Sequence, residues 1–194
     1  MDNQSKNSQE KPTRKLRGNK RRVKAYIGLG SNEGDRLGNV QQAVSLLKDV
    51  PGITLIETSS IYETEPSGDQ WGKWFVNAVV CVEVELSPFV LLEVCKDIEK
   101  RLIETHVKAR GKSGNLERVM DLDILFFGEE VLCEKDLIVP HPRLLKRAFA
   151  LVPLLEIAPE IRYPGLSKSV AALHEELSEP EQVFLYGTRE SEKE

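Results

Sequence analysis

The chain has 194 residues, 40% hydrophobic and 30% charged, which suits one compact domain with a tail rather than two domains. It contains no run of about 18 apolar residues, and its N-terminus, MDNQSKNSQE, lacks the apolar core of a secretory signal, so a membrane is excluded and the cytoplasm is the expected location. The net charge of −4 divides into +7 over residues 1–24, with nine Lys or Arg against two Asp or Glu, and −11 over the rest.

The basic stretch KPTRKLRGNKRRVK is too poor in apolar residues to fold alone, so residues 1–22 are expected to be a disordered tail, 23–187 the folded domain and 188–194 a short disordered end. The domain proper is acidic, and it lacks the aromatic pattern of an RNA-reading sheet, which argues against a nucleic-acid partner. Cys81, Cys95 and Cys133 form no CxxC pair and sit among apolar neighbours, the pattern of small core side chains.

In chain order, VKAYIGL (23–29) predicts a strand, and GSNEGD a turn before a helix from about Arg36. Leu37, Val40, Val44 and Leu47 then mark one buried helical face. Residues 53–63, ITLIETSSIYE, predict a strand kinked at its serines, followed by a Pro- and Gly-bearing loop. WFVNAVVCVEVE is the strongest strand, being long, β-branched and free of breakers. Pro88 opens a helix to about Thr105 with Leu91, Cys95, Ile98 and Leu102 on one face. The polar stretch HVKARGKSGNLER leads to the strand VMDLDILFFG, and a short helix follows Pro142, closed by Pro153 and Pro159. This order predicts a ferredoxin-like βαββαβ sandwich of the α+β class, an antiparallel sheet with helices packed on one face and a site on the other.

The strand ERVMDLDILFF carries the chemistry. Alternation sends Met120, Leu122, Ile124 and Phe126 to one face and Asp121 and Asp123 to the other, with the aspartate Cα atoms roughly 6.6 Å apart. Two such carboxylates repel unless a cation joins them, and clustered hard oxygens suit Mg²⁺ together with substrate phosphates; the competing reading is a solvated strand face. His106, Lys108, Arg110, Lys112 and Arg118 crowd the segment before the strand, where a basic loop could absorb phosphoryl charge. His141, Arg143 and Arg147 surround a helix start and could bind phosphate oxygens. Phe75 and Asn77 share a strand face, one able to stack on a flat ring and the other to read its edge.

These residues resemble a family, 6-hydroxymethyl-7,8-dihydropterin pyrophosphokinase of folate synthesis. The likeness runs from about Val23 to Pro164 and rests on AYIGLGSN, SSIYETEP, FVNAVV, DLDILFFG and VPHPRLLKRAFALVPLLEIAPE in that order. It implies transfer of a diphosphate from ATP to the pterin, two Mg²⁺ ions held by Asp121 and Asp123, and a monomer acting on small molecules. It also implies phosphate contacts and a catalytic role for Arg118, with Lys108 and Arg110 as further catalytic cations. Glu99, Ile124, His141 and Arg147 would lie on the ATP side. Thr64 and Asn77 would read the pterin edge, and Phe75 and Phe149 would sandwich its ring. The chain departs from the family at NLER (Asn115–Arg118), where an aromatic-Gly-Pro-Arg run is usual, at Thr105–His106, where Gly-Arg is usual, and at Glu65, where proline is common. Those departures frame a second reading, a pterin- or nucleotide-binding homologue whose catalytic loop has diverged.

Overall fold

The computed structural model of the chain describes residues 22–66, 73–110, 119–178 and 180–188. The expected tails at 1–21 and 189–194, together with Lys112 and Arg118, lie outside these residues, as does the side chain of Arg110. Arg22, assigned to the tail, already pairs with Glu83 (3.4 Å) and Glu85 (3.0 Å).

The elements run β1 (Val23–Ser31), α1 (Arg36–Lys48), β2 (Ile53–Thr58), β3 (Tyr62–Thr64), β4 (Phe75–Val84), α2 (Pro88–Arg110), β5 (Asp121–Phe127), β6 (Leu132–Cys133), β7 (Ile138–Val139), a 3₁₀ turn (Leu144–Lys146), α3 (Ala148–Ile157), β8 (Arg162–Tyr163), β9 (Lys168–Ser169), α4 (Val170–Glu175) and β10 (Val183–Leu185). The main sheet has the order β10-β3-β4-β1-β5, with β2 also paired to β4, and every pairing is antiparallel. The expected α+β architecture is therefore present. Among the described residues no helix is long and apolar enough to cross a membrane.

Local chemistry sets the element ends. Asp35 accepts from the Gly38 N–H (3.0 Å) and starts α1, which buries Val40, Ala43 and Leu47. The predicted face of α2 is buried along its length, with Leu91, Cys95, Ile98 and Leu102 at most 2% exposed. The helix continues past the expected end at Thr105 to Arg110: no breaker intervenes before Gly111, and Lys108 suits the negative end of its dipole. The kink at the serines divides the predicted 53–63 strand in two. Ser59 takes the Val79 N–H on its hydroxyl and gives its own N–H to the Val79 carbonyl (both 2.9 Å), while Ser60 and the Tyr62 hydroxyl donate to Glu156.

Both faces of the sheet are packed, whereas the sequence predicts helices on one. α1 and α2 cover the face carrying Ala25, Ile27, Leu29, Val80, Val82 and Val84. α3 and α4 cover part of the other, against Val79, Leu125 and Phe126. The reason lies in α3: its sequence AFALVPLLEI is apolar nearly all round, so it needs a second apolar surface. Pro153 sits inside α3 instead of ending it, at the cost of the N–H that would bond back to Phe149. Leu151, fully buried here, is expected to destabilise the protein by about 2–5 kcal/mol when changed to alanine; a urea-unfolding midpoint equal to wild type would show that α3 is not part of the cooperative core.

Two further expectations are corrected. Phe126 does not share a face with Met120, Leu122 and Ile124, because the β1–β5 register shifts between Tyr26 and Ile27 and leaves Leu125 as an extra residue. The bulge reverses the alternation, so Phe127 joins the α1/α2 core while Leu125 and Phe126 pack toward α3. Cys133 is exposed on the two-residue strand β6, and only Cys81 and Cys95 are core cysteines.

Candidate active site

The site lies on the part of the second sheet face that α3 leaves open. Register places Gly30 between Asn77 on β4 and Asp121 on β5, and Gly28 between Val79 and Asp123. Strand spacing then puts Asn77 and Asp121 about 10 Å apart with no side chain between them. The result is a glycine-floored cavity of about 230 Å³. Thr64, Glu65, Phe75 and Asn77 line one end, Asp121, Asp123, His141, Arg143 and Arg147 the other, and Phe149 stands in the wall beside Arg147.

At the first end, Asn77 (4% exposed) donates from Nδ2 to the Thr64 hydroxyl at 2.7 Å, the partner that so polar a residue needs inside an apolar strand. A Cβ added at Gly30 would stand 2.9 Å from Asn77 Oδ1. Gly30→Ala is therefore expected to push the amide out of place and raise the KM for the molecule bound at this end by about tenfold, the order for one intruding carbon; steady-state kinetics with an unchanged KM would mean the amide yields freely.

At the other end, electrostatics dominate. Asp121 opens to solvent at the cleft mouth, yet the protein crowded around it, then the neighbouring charge of Asp123, pushes its carboxyl up to about 6, against the pull of Arg143 and Arg147. Asp123 is likewise raised, chiefly by burial. His141 is held by its N–H to the carbonyl of the bulged Leu125 (3.0 Å), and its Nε2 lies 3.7 Å from Asp123 Oδ1. Burial, then Arg143 and Arg147, lowers His141 to about 4, so at neutral pH the imidazole in this contact is neutral. The Arg147 guanidinium lies 5.1 Å from the centre of the Phe149 ring. Paired carboxylate oxygens on an open cleft form a donor set suited to Mg²⁺, which keeps waters and takes phosphate oxygens as further ligands.

The remaining predicted residues fall elsewhere. Glu99 stands on α2 outside the cleft lining, where its Oε1 accepts the Leu122 N–H at 2.7 Å and so covers the outer edge of β5. Burial, then the carboxylates of Asp121 and Asp123, raises it to about 7. Ile124, expected on the ATP side, is 3% exposed and packs into the α1/α2 core, so its side chain does not reach the cleft. Lys108 is exposed on the last turns of α2 and is not among the lining residues. His106, one element earlier than its expected loop, packs on Gly34, where a Cβ would lie 2.7 Å from Nδ1. The sequence reading missed Gly28 and Gly30, although a Gly-x-Gly inside an otherwise apolar strand signals a close approach.

Fold and cleft together define an α+β domain in which paired aspartates face a cationic turn across a glycine floor. The family model for 7,8-dihydro-6-hydroxymethylpterin-pyrophosphokinase (HPPK) matches residues 26–159. The 2-amino-4-hydroxy-6-hydroxymethyldihydropteridine pyrophosphokinase of Bacillus subtilis is 44% identical over 143 residues, covering 74% of this chain and 83% of the relative. The protein of the same name from Methylorubrum extorquens is 41% identical over 143 residues, covering 74% and 87%. In fold, the wild-type HPPK-DHPS of Plasmodium falciparum crystallised with pteroate aligns at a TM-score of 0.62 and 16% identity, over 80% of this chain and 44% of that longer one. The chain belongs to the 7,8-dihydro-6-hydroxymethylpterin-pyrophosphokinase family.

Proposed function

We propose that this protein transfers the β,γ-diphosphate of ATP to the hydroxymethyl oxygen of 6-hydroxymethyl-7,8-dihydropterin, releasing AMP, as a step of tetrahydrofolate synthesis. The observation that carries this reading is one cleft with two chemically distinct ends joined over Gly28 and Gly30. Thr64 and Asn77 offer a fixed polar edge, and Phe75 and Phe149 apolar ring surface, for a flat heterocycle. Arg143, Arg147 and neutral His141 offer charge and a hydrogen bond to a triphosphate.

The pterin hydroxymethyl oxygen attacks the β-phosphorus, its proton passing to water, while the bond from that phosphorus to the oxygen shared with the α-phosphorus breaks, and AMP leaves with the electron pair. With its pKa near 4, His141 serves as a hydrogen-bonding group rather than as a base, so the rate rests on positioning and fixed charge. Asp121 and Asp123 would hold Mg²⁺, two ions in this reading, and bound there the metal withdraws charge from the phosphate oxygens. Arg118 is the proposed cation of the adjoining loop, with Lys108 and Arg110 at the end of α2 as further cations, and Glu99 steadies β5 beside the nucleotide; Ile124 would contribute through its backbone. The protein works as a cytoplasmic monomer on small molecules, without nucleic acid or membrane.

The test is AMP release by purified protein given ATP, Mg²⁺ and the pterin, against a control without pterin. Pterin-dependent AMP is expected. Tight pterin binding without AMP would instead establish the binding-only homologue.

A further inference from the structure

The family match ends at residue 159, yet the chain runs on through β8, β9 and α4 and returns to the sheet as β10, beside β3. Val183 pairs with Thr64. Just ahead of the strand, the Gln182 N–H donates to Glu65 Oε1 (2.8 Å), and the Glu65 N–H donates to the Gln182 carbonyl (3.1 Å). Within the strand, the ring of Phe184 lies 5.8 Å from that of Trp74, the residue before Phe75. This one short segment thus braces Thr64, Glu65 and the Trp74–Phe75 corner.

It also reaches the opposite wall. The backbone at Arg147, before α3, is extended, and no side chain there caps the helix. Glu181 does so from 33 residues away: its Oε2 accepts the Ala148 N–H at 2.8 Å. The carboxylate meets the positive end of the α3 dipole between Arg147 and Phe149, and its charge also acts on the Arg147 guanidinium. With a protein carboxylate at that helix start, the ligand's phosphates are left to the side chains of the turn. Fixing Ala148 fixes the direction in which Phe149 enters the cleft, and the Glu65–Gln182 pair fixes the facing wall.

We propose that Glu181 is a positioning residue for the transfer and that β10, which it leads, sets the width of the pterin end of the cleft; the inference rests on the proposed function. Glu65 has a matching role here, since its carboxylate holds the register of β10 instead of facing the ligand alone.

The experiment compares steady-state kinetics of the full-length wild type with Glu181→Ala and Glu181→Gln, both substrates varied. Glu181→Ala is expected to raise the pterin KM by about tenfold, the order for one lost charge-assisted hydrogen bond, with kcat changed by less than about threefold. Glu181→Gln retains an oxygen that can accept the Ala148 N–H, and is expected to recover the pterin KM to within about threefold of wild type. An unchanged pterin KM in Glu181→Ala, or a loss of active fraction alone, would overturn the proposal. Should that variant not fold, Glu181→Asp, a methylene short of the Ala148 N–H, carries the same expectation and the same overturning result. If the wild type releases no pterin-dependent AMP, the proposed function fails, and the pterin Kd from fluorescence titration reads the comparison instead. Weaker binding by Glu181→Ala then supports the positioning role, whereas equal binding, or no binding by either protein, overturns it.

Discussion

Replacing either Asp121 or Asp123 by asparagine is expected to remove AMP formation by about 10²–10³-fold or more, the order for deleting one preorganised charge at a transition state. Asparagine keeps the shape and loses the charge, so the fold should survive. For Asp121 the structure sharpens this into a prediction of opposite signs. Its carboxyl is raised from 3.8 to about 6, so the folded protein without metal binds this proton more tightly than the unfolded chain does. The charged form is therefore a burden on the metal-free fold above about pH 6, relieved as pH falls toward 3.8. Asp121→Asn should accordingly melt higher than wild type at neutral pH in the absence of divalent cations, with the difference fading in acid. Added Mg²⁺ should raise the Tm of wild type and narrow that gap, and acidification below about pH 6 should weaken the effect because protons compete for the same oxygens. Differential scanning calorimetry with EDTA and with Mg²⁺ checks both signs. An active variant would remove the metal assignment, and an Asp121→Asn protein that melts lower at neutral pH without metal would remove the penalty assigned to the Asp121 charge.

Asn77→Leu is the second large effect. The side chain is nearly isosteric, but it leaves the buried Thr64 hydroxyl without its 2.7 Å partner and removes an amide aimed over Gly30. A site built to hydrogen-bond one edge loses heavily when that group is absent, so kcat/KM for the pterin should fall by about 10³-fold or more. Leaving the buried Thr64 hydroxyl unpaired should cost about 1–3 kcal/mol of stability as well. Nucleotide binding in the absence of pterin should be untouched, because the cationic turn is at the other end of the cleft. Titrating a non-hydrolysable nucleotide separates the two. A loss of nucleotide affinity as large as the loss of pterin affinity would mean that Asn77 supports the whole cleft rather than one end of it.

Much of this was legible from local pattern. The 4, 3, 4 spacing of Leu91, Cys95, Ile98 and Leu102 named the buried side of α2, because helical periodicity repeats within one element. Asp121 and Asp123 stood out by alternation, and Asn77 by its apolar surroundings, for the same reason: each conflict with burial is visible within a few residues. The α+β class followed from the succession of elements. His141, Arg143 and Arg147 could be grouped because they lie on a single turn.

What local pattern could not supply depends on partners distant in sequence. Alternation assigned Phe126 to the wrong face, since the bulge at Leu125 exists only in the pairing of β5 with β1. Alternation set Ile124 opposite the aspartates, as observed, but that its face is the one covered by α1 and α2 is decided by packing. The two glycines became the floor of a cleft only when register set them between Asn77 and the aspartates. The capping of α3 by Glu181 leaves no mark on either stretch, as the two ends of that hydrogen bond lie 33 residues apart. By itself, then, the sequence determined the family, the elements from β1 to β5 and the acidic pair, which are short-range chemistry. The tertiary structure alone decided which faces meet and how wide the cleft is, because those are properties of pairing and packing between segments.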